Sequence, residues 1–215
     1  MKLLARVLTL LALSGCSLTG TRVPTNARFD FGPQDAQTLD ASPPAGVQLV
    51  VYDITAPPWI DGSLMYYRLA YRDAARPMPY AQNGWVMSPA ALLTQRLRLR
   101  LASSSGDEFL HVGTDRPHKY VLRAELVEFE QIFDRPDHSR GVLRLRATLE
   151  GDATWAQRTF LIEKSAPTAD APGGVTALSQ CADELAVSID AWISQSRLES
   201  ITLRQGDAPR SARSR

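Results

Sequence analysis

The sequence predicts a single α/β (α+β) domain in which one mixed β-sheet packs with an internal helix and a C-terminal amphipathic helix. Three observations carry this expectation. Residues 143–149 alternate, with Leu143, Leu145, Ala147 and Leu149 on one side and Arg144 and Arg146 on the other, the period of a strand with one covered face. Leu178, Cys181, Ala182, Leu185, Ile189 and Trp192 recur at helical spacing, opposite Asp183, Glu184 and Asp190. The chain has 215 residues, 44% of them hydrophobic and 22% charged, enough for one sizeable core of ordinary composition.

The amino terminus has a separate purpose. Lys2 and Arg6 make a basic start, residues 7–13 are almost wholly apolar, and small Ser14 and Gly15 precede Cys16. This is the pattern of a secretory signal. The tetrad Leu13-Ser14-Gly15-Cys16 resembles the lipobox of bacterial lipoproteins, in which the cysteine thiol takes a diacylglycerol and cleavage frees an amine for a third acyl chain. Residues 1–15 are thus expected to be a lipoprotein signal peptide and Cys16 the lipidation site. The competing reading is an ordinary secreted protein, or a core helix, in which Cys16 is incidental. Each buried methylene of an acyl chain contributes about 0.8 kcal/mol of anchoring, so two or three chains hold firmly. Ser17 follows where an aspartate would, by analogy with such lipoproteins, favour the inner membrane, and this points to the outer one. Loss of residues 1–15 leaves 200 residues with a net charge of −1 and Cys181 as the sole free thiol, expected in the core.

Residues 16–46 read as a lipid-anchored tether, with a short pairing strand near 29–32. Residues 47–54 are a strand covered on both faces, ending at Pro57-Pro58, and residues 64–69 return after the turn at Trp59, Ile60 and Asp61. A further short strand is expected across 78–85. Ser88-Pro89 starts a helix, with Ser as cap and Pro at the first helical position, and Leu93, Leu97 and Leu101 form its stripe. Residues 97–101 also alternate with period two, which makes a strand the competing assignment. A short strand is expected at 109–112. Residues 120–133 form one long strand whose apolar face switches near Leu126-Val127, through a bulge or through burial on both sides. Residues 143–149 and 154–163 pair as a hairpin about Glu150-Gly151-Asp152. After a loop over 165–174, a helix is expected from 175 to about 197. The folded domain is placed at 47–200, and 201–215 reads as a disordered basic tail.

Several chemistries are absent from this pattern. A net charge of +1 argues against coating nucleic acid. There is no phosphate-cradling Gly-rich loop with its Lys and no Gly-x-Ser-x-Gly elbow. His111, His118 and His138 form no i, i+4 pair and have no cysteine beside them. Catalytic, cofactor-binding and metal-ligating residues are therefore not assigned. Trp59 and Asp61 carry two readings: a capped turn whose Trp covers the edge of the core, or a partner-docking loop.

The order of these signals resembles the ABC-type transport auxiliary lipoproteins. The likeness runs through Cys16, Phe29-Asp30-Phe31, the strand entering Pro58-Trp59-Ile60-Asp61, Tyr67-Arg68, Trp85 before the leucine helix, the long strand ending in Phe133, the hairpin, and the last helix with Trp192. Phe29 stands where a Tyr is commoner, the segment 76–79 is individual, and the tail has no counterpart. The resemblance implies a non-enzymatic component on the periplasmic face of the outer membrane, without a cofactor. It also implies docking to the MCE-domain protein of an ABC lipid transporter, often as a ring-like homo-oligomer. The alternative is a stand-alone lipoprotein that carries a lipid itself.

Overall fold

The computed structural model describes residues 26–33, 49–104, 109–110, 120–151 and 154–206. Its strands are β1 (Ala27–Phe29), β2 (Leu49–Val51), β3 (Leu64–Leu69), β4 (Pro77–Trp85), β5 (Phe109–Leu110), β6 (Tyr120–Arg135), β7 (His138–Gly151) and β8 (Thr154–Ser165). Its helices are α1 (Pro89–Ser104) and α2 (Ala171–Gly206). The strands form one mixed sheet of eight, as the sequence predicts for the fold class.

β6 organises the sheet. One edge pairs antiparallel with β7 from Tyr120 to Arg135, and β7 pairs antiparallel with β8. The other edge is shared: β2 lies parallel against Tyr120, Val121 and Leu122, whereas β3 lies parallel against Gln131, Ile132 and Phe133. Between them Tyr52 N and Thr55 N donate to Leu122 O and Ala124 O, each at 3.0 Å, and Leu126 N donates to Thr55 O at 2.7 Å. β4 and β1 continue the sheet beyond β3, and β5 lies beside β2.

The expected bulge falls at Val127. Leu126 faces Leu145 and Glu128 faces Arg144, so Val127 is the extra residue. It resets the alternation and keeps Leu122, Leu126 and Phe129 all in the core. Leu143, Leu145, Ala147 and Leu149 are fully buried on the same side. The α2 stripe of Leu178, Cys181, Leu185 and Ile189 closes over them, with Trp192 edge-on to Phe160 at 5.8 Å. Each fully buried leucine contributes roughly 1.5–3 kcal/mol relative to exposure.

The ambiguous stretch is helical. Leu93, Leu97 and Leu101 are buried while Leu99 is exposed, the i, i+4 pattern rather than the i, i+2 one. Ser88 Oγ accepts from Ala91 N at 3.3 Å, the cap its position predicts.

Several boundaries differ from expectation. β1 is Ala27–Phe29, so it overlaps the expected 29–32 segment only at Phe29 and starts two residues earlier, while Phe31 plugs the core between Trp85 and Phe129. β2 is three residues long, because beyond Val51 the chain follows β6 only through single bonds. α2 begins at Ala171, within the segment Ala-Pro-Gly-Gly that composition marks as loop. Asp170 caps it, its Oδ1 accepting from Gly173 N at 2.9 Å, and Pro172 sits in the first turn, where its missing N–H is not needed. Gly174 is required by packing: a Cβ there would run into the carboxamide of Gln131. At its other end α2 has neither Gly nor Pro between Gly174 and Gly206, and it continues through 201–206 of the segment read as tail. Residues 207–215 lie outside the described residues.

Gln131 is fully buried and makes three hydrogen bonds. Its Oε1 accepts from Tyr80 Oη at 2.8 Å, and its Nε2 donates to Ser139 Oγ at 2.8 Å and Asp170 O at 3.1 Å. Burial pushes the Tyr80 phenol well above its ordinary value, so it stays a donor. Gly174→Ala is expected to lower stability by about 1–3 kcal/mol by displacing this carboxamide. Gly62→Ala, with nothing within 4 Å of the added carbon, should leave the urea midpoint nearly unchanged.

Candidate docking surface

Two of the three residues singled out by the sequence fall in the described structure; Cys16 lies outside it. Trp59 and Asp61 belong to one turn, in which Ile60 N and Asp61 N both donate to Pro57 O, at 3.0 and 3.1 Å. Pro57 and Pro58 restrict its backbone. Ile60, 2% exposed, is the side chain that enters the core. Trp59 is 41% exposed and stands edge-on to Tyr66 at 5.7 Å. The turn is therefore structural through Ile60, and Trp59 remains available at the surface.

Asp61 is exposed on the rim of a hollow of about 450 Å³ between this turn and the first half of α1. Its floor is made by Ile54, Ala90 and Thr94. The floor's polar atoms are satisfied: Thr94 Oγ1 accepts from Ile54 N at 2.9 Å and donates to Ala90 O at 2.8 Å. Arg98 binds Asp53 and Val51 O, both at 2.8 Å. Beside Asp61 and Gln95 the rim presents apolar side chains, namely Met87 and Leu99, with Val86 exposed beside Met87. Sequence reasoning missed this rim. Met87 precedes the Ser88 cap, where an apolar residue ordinarily packs back onto the helix, and its 41% exposure breaks that rule.

The segment leading into the domain is clamped from within. Arg96, buried on α1, donates from Nη2 to Phe31 O at 2.7 Å and to Gly32 O at 3.0 Å. Its Nη1 reaches Asp183 of α2 at 3.2 Å. Arg100 pairs with Asp190 at 3.4 Å, so the two helices run in the same direction.

Away from the helices the sheet shows its charged face. Arg144 meets Glu128 at 3.1 Å and Arg146 meets Glu125 at 3.5 Å, the solvated strand face that the sequence suggests. Deeper on this face Arg68 holds Glu130 through Nη2 at 2.7 Å and Nε at 3.0 Å. Glu130 is 1% exposed and its Oε2 has no hydrogen-bond partner. Burial pushes this carboxyl above its ordinary range, against the pull of Arg68. Cys181 is buried beneath α2 beside the carbonyls of Gly141 and Ile162, and burial pushes its thiol up to about 12. Such a thiol is unreactive, as expected of a core cysteine. Among the described residues no three His, Cys, Asp or Glu side chains gather to hold a metal ion, and no helix is long and apolar enough to cross a membrane.

The domain thus combines an α+β sheet fold with a groove that carries apolar side chains at its rim and a sheet face of paired charges. The chain belongs to the ABC-type transport auxiliary lipoprotein component family, whose model matches residues 29–190. No curated protein matches it. A crystal structure of a Xanthomonas campestris protein assigned to the DUF330 family superposes with a TM-score of 0.65 at 17% identity, covering 74% of this chain and 91% of that one. A crystal structure of an uncharacterized protein gives a TM-score of 0.63 at 15% identity, covering 79% of this chain and 99% of that one. Both show the same fold.

Because Glu130 is held above the ordinary carboxylate range, the folded state binds its proton more tightly than the unfolded chain does. Its contribution to stability therefore grows as pH falls from that raised value toward the ordinary range. Relative to Glu130→Gln, the wild type should gain stability on acidification through this window, read from urea midpoints at stepped pH. A difference that stays constant with pH would contradict it.

Proposed function

We propose that this chain is the non-enzymatic, outer-membrane lipoprotein component of an MCE-type ABC system that moves lipids between the inner and outer membranes. The observation that carries this reading is the family match over residues 29–190. Acyl chains on Cys16 hold one end of the protein on the periplasmic face of the outer membrane. The folded domain grips the MCE-domain protein at the transporter's tip and works by position, not turnover. The groove beside Asp61, with Met87 and Leu99 at its rim, offers the grip: apolar side chains to desolvate and a carboxylate to orient a partner. A ring of copies has its best support in β8, a 12-residue edge strand whose outer side pairs with no strand among the described residues. Trp155 and Leu161 on it are 70% and 48% exposed. Such an edge is a template for strand addition.

Two measurements test this. Cys16→Ala should move the protein from the membrane to the soluble periplasmic fraction; unchanged membrane association would refute the anchor. Met87→Glu combined with Leu99→Glu should reduce recovery of the MCE protein in mild-detergent pull-downs by roughly tenfold or more. Full recovery would move the grip elsewhere. Stoichiometric lipid retained by the wild type in native mass spectrometry would favour the stand-alone carrier instead.

A further inference from the structure

The loop joining β3 to β4 carries chemistry that no reading above employs. Residues 70–76 are Ala-Tyr-Arg-Asp-Ala-Ala-Arg, and a hollow of about 340 Å³ opens there between Arg72 and Arg76. Leu69 and Met78 give it an apolar side and Asp73 an acidic one. Among the described residues neither arginine makes a salt bridge, in contrast to Arg68, Arg140, Arg144 and Arg146 on the neighbouring strands. Tyr71 beside them is 42% exposed.

The loop is built, not slack. Arg72 N and Asp73 N both donate to Leu69 O at 2.9 Å, and Ala75 N donates to Asp73 Oδ1 at 3.0 Å. Arg68 Nη1 holds Ala74 O at 2.7 Å while Glu130 fixes the other side of the same guanidinium. Two guanidinium forks are thus presented on a set backbone. On the strands that follow, Arg135 faces Asp137 at 3.9 Å, and Arg140 reaches Asp134 and Glu163.

Strand direction aims this tip. β1 runs parallel to β4, with Ala27 opposite Asn83, so Asn26 lies on the side toward Pro77 and the loop. Six residues of strand separate Asn83 from Pro77, about 20 Å. Ten residue steps lead from Cys16 to Asn26 and span at most about 35 Å.

We propose that the β3–β4 tip is a second membrane contact, in which Arg72 and Arg76 take the phosphates of phospholipid headgroups and Tyr71 enters the interfacial layer. Guanidinium forks match phosphate oxygens in pairs, and tyrosine favours the boundary between headgroup and acyl chain. The free Asp73 oxygen faces the ammonium of an ethanolamine headgroup. The aim of the tip rests on Cys16 as the anchor; its affinity for headgroups does not.

The test separates the two. The polypeptide 16–215 lacks residues 1–15 and is therefore unacylated, yet it keeps every element described. It should sediment with vesicles of phosphatidylethanolamine and phosphatidylglycerol and be released at high salt. Arg72→Ala with Arg76→Ala should bind about thirtyfold more weakly, the loss of two arginines at a charged surface. Its circular dichroism and urea midpoint should match the wild type. Equal vesicle binding by the double variant, or no binding by the wild type, would overturn the proposal. So would inorganic phosphate that binds at Arg72 and Arg76 and displaces the protein from vesicles at millimolar concentration, since the site would then serve a soluble anion. A Cys16 found unmodified in cells, with vesicle binding intact, would refute the anchor alone.

Discussion

One buried carboxamide fixes how the parts of this domain meet. Gln131 sits in the second half of the longest strand with no exposed surface, and its three hydrogen bonds are directed at three different elements. A buried amide left half-bonded costs far more than its net contribution when satisfied. The β4 hydroxyl, the β7 hydroxyl and the carbonyl that opens α2 therefore have to arrive together. That requirement removes the side chain from Gly174, whereas Gly173 is glycine because a Cβ there would run into Thr168, and together they explain a glycine pair in the first turn of a helix, where propensity alone would place a loop.

The long strand solves a second problem, that of seating two separate parallel segments on one edge. β2 and β3 each pair with only three of its residues, too little to hold alone, and the chain between them returns for single bonds through Tyr52 and Thr55. The detour ends in the Pro57 turn, which Ile60 pins to the core. A turn pinned from below leaves its upper surface free, and this is why Trp59 is exposed and Asp61 stands at the rim of a groove. Structure and availability here are two sides of one short segment.

Local rules carried much of this fold in the sequence. The Ser88 cap, the Leu93, Leu97, Leu101 stripe, the alternation through Leu149 and the face switch at Val127 each depend on neighbours a few residues away. The features that were not legible depend on distant partners. Arg96 reads as a polar residue beside an apolar stripe until Phe31 and Asp183 are brought to it. Glu130 reads as one of several acids on a strand, and only the folded sheet takes it out of water. The start of α2 was hidden because Pro and Gly are loop residues by frequency, whereas here one tolerates the first turn and the other makes room. The exposed pair Met87 and Leu99 became a rim only when α1 was laid beside the Pro57 turn.

The manner in which β1 joins the sheet has a mechanical consequence. Its bonds to β4 lie across the direction in which the chain enters, so traction along the incoming segment would strain them in shear, all at once, instead of peeling them one by one. Behind them Phe31 is wedged between two aromatic rings, and the Arg96 guanidinium grips the next carbonyls. A tug from that end would thus be spread over a strand, a wedge and a clamp before it reached the hydrophobic interior, the arrangement of a cleat that takes the strain off the deck behind it.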